Sequence, residues 1–411
     1  MVGPSVGCGS DGSCAVEVSG GLSAERVAGG LTGRSSDGVA AAESGPGTGK
    51  RVIVAMSGGV DSAVAAAVLM ERGYQVSGVT MRLWSGEGSC GDSRPAAPED
   101  DARRTCDALG IPFRVVDLRA PFREHVVDYF LTEYVRGRTP NPCLACNRYI
   151  KFGLLLQEAL SQGAGYLATG HYARVSRYGG GFRLLRGLDR SKDQSYFLYM
   201  LGQEQLGHLL LPLGDLTKTQ VRAMARARQL PAEGSSESQD LCFISGGDYR
   251  RLLLRLAPAS VVPGPIVDST GEVLGQHRGL PFYTVGQRKG LGIAAPEPLY
   301  VIGLNVAQNT LIVGPSNELG RTVLVAREVT FVSGLFPSEP LRAEAKIRYQ
   351  SRPRSVVVVP RGEGRIEVTF ERPQRDITPG QAVVLYKGPV VLGGGIIGDQ
   401  CLCDCGVDAD R

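Results

Sequence analysis

No apolar run in these 411 residues reaches the roughly 18–20 that a membrane-spanning helix needs. The first fifty residues also lack the apolar h-region of a secretion signal. Nor are they poor in acids. Asp11, Glu17, Glu25, Asp37 and Glu43 stand against Arg26, Arg34 and Lys50, which argues against a transit peptide. The expectation is a disordered Gly-, Ser- and Ala-rich leader over 1–50, no membrane, and a cytoplasmic protein. A strong charge is missing too. The chain carries +4, of which the leader contributes −2 and the other 361 residues +6, too mild a surplus to establish nucleic-acid binding. There is no internal repeat. The ten cysteines are too unevenly spaced for a disulfide scaffold. One pair reads Cys143-Leu-Ala-Cys146, a spacing that in a cytoplasmic chain suggests redox chemistry, sulfur transfer or metal binding.

What is present is 43% apolar and 21% charged, the balance of a globular protein, at a length that calls for two or three domains. Strands are predicted over 52–56, 76–83, 113–117 and 166–170, and helices over 63–72, 100–109, 121–136 and 147–161. Gly73 closes the first helix. Strands alternating with helices predict an α/β, doubly wound parallel sheet, with ligands beyond the carboxyl ends of its strands. Gly179-Gly-Gly181 marks a hairpin between 172–178 and 182–186. Short β-rich runs at 323–325, 341–348, 355–359, 365–370 and 382–386 predict a small C-terminal β-barrel. The expected division is a catalytic domain over 51–250, a small central domain over 251–318, the barrel over 319–400 and a tail over 401–411. Cys401-Leu-Cys-Asp-Cys405 reads as part of that mobile tail.

Ser57-Gly58-Gly59-Val60-Asp61-Ser62 lies directly between a predicted strand and a predicted helix. Two glycines let backbone pass close to phosphate oxygens, and the amides of the turn and helix start face the anion. Ser57 and Ser62 add hydroxyls, and Asp61 is a candidate magnesium ligand. A rival Gly-rich string, Gly45-Pro-Gly-Thr-Gly-Lys50, fails as a Walker loop: Ser44 stands where its first Gly belongs and Arg51 where its Ser/Thr belongs. The Ser57–Ser62 string resembles the PP-loop of the ATP pyrophosphatases. That resemblance implies ATP as cofactor, with nucleotide contacts at Ala55, Met56 and Ser57 through Ser62.

Three further strings narrow the choice. The run 137–152, which contains Pro140-Asn-Pro-Cys-Leu-Ala-Cys146, resembles the catalytic segment of the tRNA-specific 2-thiouridylases. Glu237-Ser-Gln-Asp-Leu-Cys-Phe-Ile244 resembles the segment with their second cysteine, and Ser191-Lys-Asp-Gln-Ser-Tyr196 a tRNA-contacting stretch. The likeness runs in order from about 52 to 398. The chemistry fits independently: exchanging oxygen for sulfur at a uridine needs a leaving group, which adenylation supplies, and a soft nucleophile. Releasing sulfur from a persulfide calls for a second thiol. By the resemblance Cys242 carries the persulfide, and Cys146 frees the sulfur and ends in a disulfide with it. Pro-Asn-Pro and Ser-Gln-Asp before these cysteines argue against burial. At Cys143 many family members have an aspartate. The resulting trio Cys143, Cys146 and Cys242 is a candidate 4Fe–4S ligand set. Persulfide relay and cluster-bound sulfide both stay open.

The same resemblance implies an adenine contact at Met81, a nucleotide contact at Gly170 and a tRNA contact at His171. It also implies tRNA contacts at Lys192, Asp193, Gln194, Arg348, Tyr349 and Gln381, and a uridine pocket rimmed by Asn141, Pro142 and Cys143. Arg342, Lys346, Arg348, Arg352 and Arg354 form a basic run beside Tyr349 and Gln350, and Arg288-Lys289 sits in a Gly-rich loop; both suit phosphates. The expected partners are lysine, glutamate and glutamine tRNAs and a cysteine desulfurase or sulfur-relay protein, with the chain a monomer. A PP-loop ligase acting on a small carboxylate, and a non-catalytic tRNA-binding protein, are the rivals. Neither needs all of these features together.

Overall fold

Short apolar strands alternate with helices to build the parallel sheet. The first strands are β1 (Arg51–Ala55), β2 (Gln75–Arg82), β3 (Phe113–Asp117) and β4 (Tyr166–Ala168). The next two, β5 (Ala173–Tyr178) and β6 (Gly181–Arg186), form the expected hairpin, and β7 (Leu209–Leu210) returns to the sheet edge. The order is β3-β2-β1-β4-β7, every pair parallel. This computed structural model describes residues 49–84, 98–231, 241–244, 248–362, 364–375 and 377–399, all inside one unit, Ala42–Arg411. The expected leader up to residue 48 and the tail 401–411 lie outside the described residues. So do the loop 85–97 and the Glu237–Asp240 part of the second cysteine string.

Two helices flank the sheet first, α1 (Val60–Glu71) and α2 (Pro98–Leu109). Nine of α1's twelve residues are buried, as an Ala- and Val-rich helix apolar on every side requires. It stops at Gly73, φ +81°, where Gly73 N–H donates to Met70 O and Tyr74 N–H to Leu69 O. The next two helices each carry a wide turn in the middle. Over 119–135 the π-helical part is Arg123–Asp128, and over 142–161 it is Cys146–Leu155. The second of these begins five residues before the predicted start. Pro142 sits in its first turn, where a missing N–H costs nothing, so the Pro-Asn-Pro string opens the helix and does not delay it.

No strand is predicted over 251–318, yet four form there: β8 (Gly264–Val267), β9 (Val273–His277), β10 (Tyr300–Asn305) and β11 (Thr310–Gly314), ordered β10-β11-β8-β9. The C-terminal strands are β12 (Arg321–Phe331), β13 (Leu341–Lys346), β14 (Arg354–Pro360), β15 (Ile366–Gln374), β16 (Ala382–Lys387) and β17 (Val390–Ile397). They run β12-β15-β14-β13-β16-β17, and β17 pairs back to β12, closing a six-strand barrel. The sixth strand escapes prediction because it contains Gly393-Gly-Gly395. A Cβ at Gly394 would stand 2.4 Å from Val383 O, and one at Gly395 would stand 2.7 Å from Arg327 O. Closure needs backbone where propensity disfavours a strand.

The hairpin does not stay with the sheet that precedes it. Strand β6 pairs with β17 through Leu184↔Val391 and Leu185↔Val390. One core therefore gathers Leu167 and Tyr196 together with Val384, Tyr386 and Val391. A buried polar knot lies alongside: Arg186 stacks 4.2 Å from the Tyr386 ring centroid and pairs with Asp193 at 3.7 Å.

Candidate functional site

The loop after β1 is built from its own hydroxyls. Ser62 Oγ, 3% exposed, donates to Gly59 O at 3.0 Å, and Ser57 N–H donates to Ser62 Oγ at 3.1 Å. Gly58 takes φ +77°, a left-handed conformation that a Cβ would strain. Gly170 lies against the same loop, where a Cβ would stand 2.9 Å from Asp61 C and Cβ and 3.0 Å from Ser62 N. Only glycine lets the end of β4 approach the start of α1 so closely. The result is a pre-ordered turn of backbone amides at a helix start beyond the carboxyl end of a parallel sheet, suited to a polyphosphate.

Within this set the side chains divide. Met56 is 3% exposed and Val60 8%, so they pack inward and can meet a ligand only through main chain. Met56 O already accepts from Thr80 Oγ1 at 2.7 Å. Half-buried Met81, near the end of β2, packs against two cores. Asp61 does not present an open carboxylate. Lys218 Nζ lies 2.8 Å from both its oxygens, and Tyr172 OH donates to Oδ1 at 2.8 Å. With an ammonium already seated there, Asp61 as arranged does not fit a magnesium ion.

Three thiols converge from two segments. Cys143 and Cys146 lie on the first turns of 142–161, where Asn141 Oδ1 accepts from Cys143 N–H at 3.2 Å. Cys242 arrives on 241–244, pinned by Phe243, whose ring meets Phe122, Phe130 and Trp84 edge-on. Cys143 and Cys242 are exposed, whereas Cys146 is 7% exposed and packs in a core. The expectation that neither sulfur-handling cysteine is buried is thus corrected for Cys146, because its helix starts early and turns it inward. Surrounding protein raises all three thiols, Cys242 to about 12, with the neighbouring thiols adding to the rise there. Lys151 opposes the rise at each of them.

Lys151 escapes a reading by sequence spacing. Five residues after Cys146, it would lie roughly 140° around an α-helix. In a π-helix, at about 4.4 residues per turn, the separation falls to roughly 50°. The wide turn brings an ammonium to the thiols, and it also reaches His171. Burial first, and then Lys151, hold His171 well below the usual imidazole range, so it is neutral near pH 7. Its Nδ1 sits 2.8 Å from Thr169 Oγ1, and its ring packs on Phe152.

Among the described residues no three His, Cys, Asp or Glu side chains form a group that could hold a metal ion. A 4Fe–4S cluster takes thiolates set farther apart than the ligands of one ion, and Cys143, Cys146 and Cys242 are the residues that would hold it.

The expected RNA contacts also sort themselves. Arg342, Gln350, Arg352 and Arg354 are exposed, as are Arg288 and Lys289, and Arg288 lines a hollow together with Leu291 and Leu299. Lys346 is 8% exposed, and burial lowers its pKa while it faces Tyr196 and Tyr349, so it leaves the basic run. Asp193 is 6% exposed and accepts from Gly187 N–H and Ser195 N–H, which gives its side chain an internal task. Gln194 Oε1 accepts from Tyr172 N–H at 2.9 Å, and half-buried Lys192 stands beside it. Arg348 donates to Thr378 Oγ1 at 2.9 Å, Tyr349 packs 4.5 Å from Phe197, and Gln381 donates to Thr139 O. Asn141 and Pro142 stand with Cys143 at the head of their helix. Lys218, Tyr172 and Lys151 are site residues to which the motifs assign no role, although Lys151 falls within the 137–152 run. Only Lys218 has a local signal, in the capping box Thr217–Gln220 that starts its helix.

Three family models match in order: the tRNA methyl transferase HUP domain over residues 50–246, the tRNA methyl transferase PRC-barrel domain over 252–315, and the aminomethyltransferase beta-barrel domain over 321–397. The tRNA-specific 2-thiouridylase MnmA of Roseiflexus sp. (strain RS-1) is 50% identical over 368 residues, covering 84% of this chain and 99% of that protein. The protein of the same name from Clostridium perfringens (strain ATCC 13124) is 47% identical over 357 residues, covering 85% and 99%. Among solved structures, a 4-thiouridine synthetase–RNA complex with bound ATP matches 51% of this chain and 50% of that one, at 18% identity and a TM-score of 0.31.

Proposed function

This chain belongs to the tRNA-specific 2-thiouridylase family, and on that footing we propose that it replaces the 2-oxygen of a tRNA wobble uridine with sulfur at the expense of ATP. One observation carries the reading: a hydroxyl-braced phosphate loop and a three-thiol cluster share one fold, and Lys151 stands within electrostatic reach of the thiols. A small-carboxylate ligase would have use for the first feature alone.

The uridine 2-oxygen attacks the α-phosphorus of ATP, and pyrophosphate leaves. The amides of 57–62 hold the phosphates, while Asp61, fixed by Lys218 and Tyr172, keeps the helix start in place. The terminal sulfur of a persulfide on Cys242 then attacks C2. The Cys146 thiolate attacks Cys242 Sγ and breaks the sulfur–sulfur bond. Those electrons form the carbon–sulfur double bond as AMP departs, leaving a Cys146–Cys242 disulfide. An external thiol reductant and a new persulfide from a cysteine desulfurase or relay protein reset the pair. Lys151 stabilises negative sulfur. The domain division 51–250, 251–318 and 319–400 assigns nucleotide chemistry to the first part and RNA grip to the other two. The lysine, glutamate and glutamine tRNAs are the proposed substrates, and exposed Arg342, Arg352 and Arg354 the phosphate contacts.

The test is single-turnover thiolation of unmodified glutamate tRNA by iron-free protein charged with persulfide, following pyrophosphate and 2-thiouridine together. We expect both products only with ATP present, and both to survive Cys143→Ala. ATP-dependent pyrophosphate release without any thiouridine, from fully persulfidated protein, would overturn the proposal. Activity that tracks iron content and disappears with Cys143→Ala would overturn the relay.

A further inference from the structure

The short connection before the cysteine helix is held from three sides by parts of the chain distant in sequence. From the barrel side, Thr139 N–H donates to Pro379 O at 2.9 Å, and Gln381 Nε2 donates to Thr139 O at 2.7 Å. Between those two partners, Gly380 takes φ +88°, and a Cβ there would stand 3.0 Å from Thr139 N, C and O alike. From the central part, Thr284 Oγ1 lies 3.0 Å from Thr139 Oγ1. Arg138, the residue before, donates to Asp399 and lies 3.4 Å from Glu133, a carboxylate 3% exposed that Arg327 of β12 also approaches at 3.4 Å. Arg348 bridges the two outer parts at the same junction, donating to Thr378 Oγ1 and Val285 O. Two residues beyond Thr139, Asn141 caps the turn that bears Cys143.

We infer that Thr284, Gly380 and Gln381 are positioning residues for the sulfur step: they clamp Thr139 and thereby set where Cys143 and Cys146 stand, so the thiols are arranged only when barrel and central sheet are docked. The inference rests on the reading that these thiols handle sulfur. The bonds are few and polar, and their small net contribution is too little to decide whether the chain folds. They act on placement, where an error near 1 Å at a reacting group costs on the order of a hundredfold. Gln381, which the family resemblance marks as an RNA contact, has its amide turned to the cysteine loop.

The experiment uses the full chain with Thr284→Val and Thr139→Val, each of which breaks the hydroxyl contact. Three quantities are read: alkylation rates of Cys143 and Cys146 by iodoacetamide without RNA or ATP, tRNA affinity, and single-turnover thiolation. We expect alkylation to change about threefold or more and thiolation to fall about tenfold, with tRNA affinity within about twofold and a near-native melting temperature. Gln381→Leu, read by alkylation alone, should behave likewise, and Gly380→Ala more severely. Should Gly380→Ala fail to fold, the other variants decide. Unchanged alkylation in all the folded variants overturns the inference, as does a fall in thiolation matched entirely by lost tRNA affinity. Alkylation needs no substrate, so it still tests the clamp even if the chain thiolates no tRNA.

Discussion

The phosphate loop and the thiol cluster are built on opposite principles. The loop is six consecutive residues whose serines and backbone bond among themselves, with Gly170 packed close beside them and Asp61 tied outward to Lys218 and Tyr172. The thiols come from two segments joined only by tertiary packing: a wide-turned helix on one side and a tetrapeptide anchored by Phe243 on the other. A site for binding an anion can be rigid before its ligand arrives. A site that hands sulfur between two thiols needs groups that meet, exchange and separate, and distant segments supply that freedom.

Four measurements put this contrast at risk. The largest effect belongs to the dispersed site. Cys242→Ala or Cys146→Ala should lower single-turnover thiolation by at least about a thousandfold while pyrophosphate release stays within a few fold. Equal loss of both would mean that the two sites do not work separately. Next, Asp61→Asn should slow pyrophosphate release about a hundredfold, through loss of the Lys218 pair, and leave thiol alkylation untouched. An alkylation change there would tie the loop to the thiols.

A smaller effect comes from pH. Protein surroundings raise the thiols, so little thiolate exists at pH 7 and more forms as pH rises. Alkylation of Cys242 should therefore climb about tenfold per unit from pH 7 to 9. Lys151→Met, which removes the opposing ammonium, should slow it by about threefold more at pH 8, and Lys151→Arg should not. A rate flat above pH 7 would show a thiol already ionised. The smallest effect lies on the barrel rim, where Arg352→Ala should weaken tRNA binding about twofold and lower the salt slope by about one. Lys346→Met, buried beside Tyr196, should leave that slope alone.

Local legibility follows local causes. The parallel sheet, the phosphate loop and the closure of α1 at Gly73 could be read because period, turn chemistry and capping act over a few residues. Strand β17 could not, since Gly394 and Gly395 are chosen for the close passage of Val383 and Arg327. Strands β8 to β11 are short and Gly/Pro-punctuated, and only their mutual pairing makes them strands. Cys146 looked exposed because Pro-Asn-Pro resembles a turn, whereas Pro142 in a first helical turn begins the element that buries it.

Contiguous strings of residues were enough for the family, the α/β class and the turn between β1 and α1, because each depends on near neighbours. Packing between distant segments was needed for Lys218 and Tyr172 to hold Asp61, for a π-turn to bring Lys151 to the thiols, and for the barrel to grip Thr139. Those arrangements depend on which distant surfaces bury one another, and burial is a property of the whole chain.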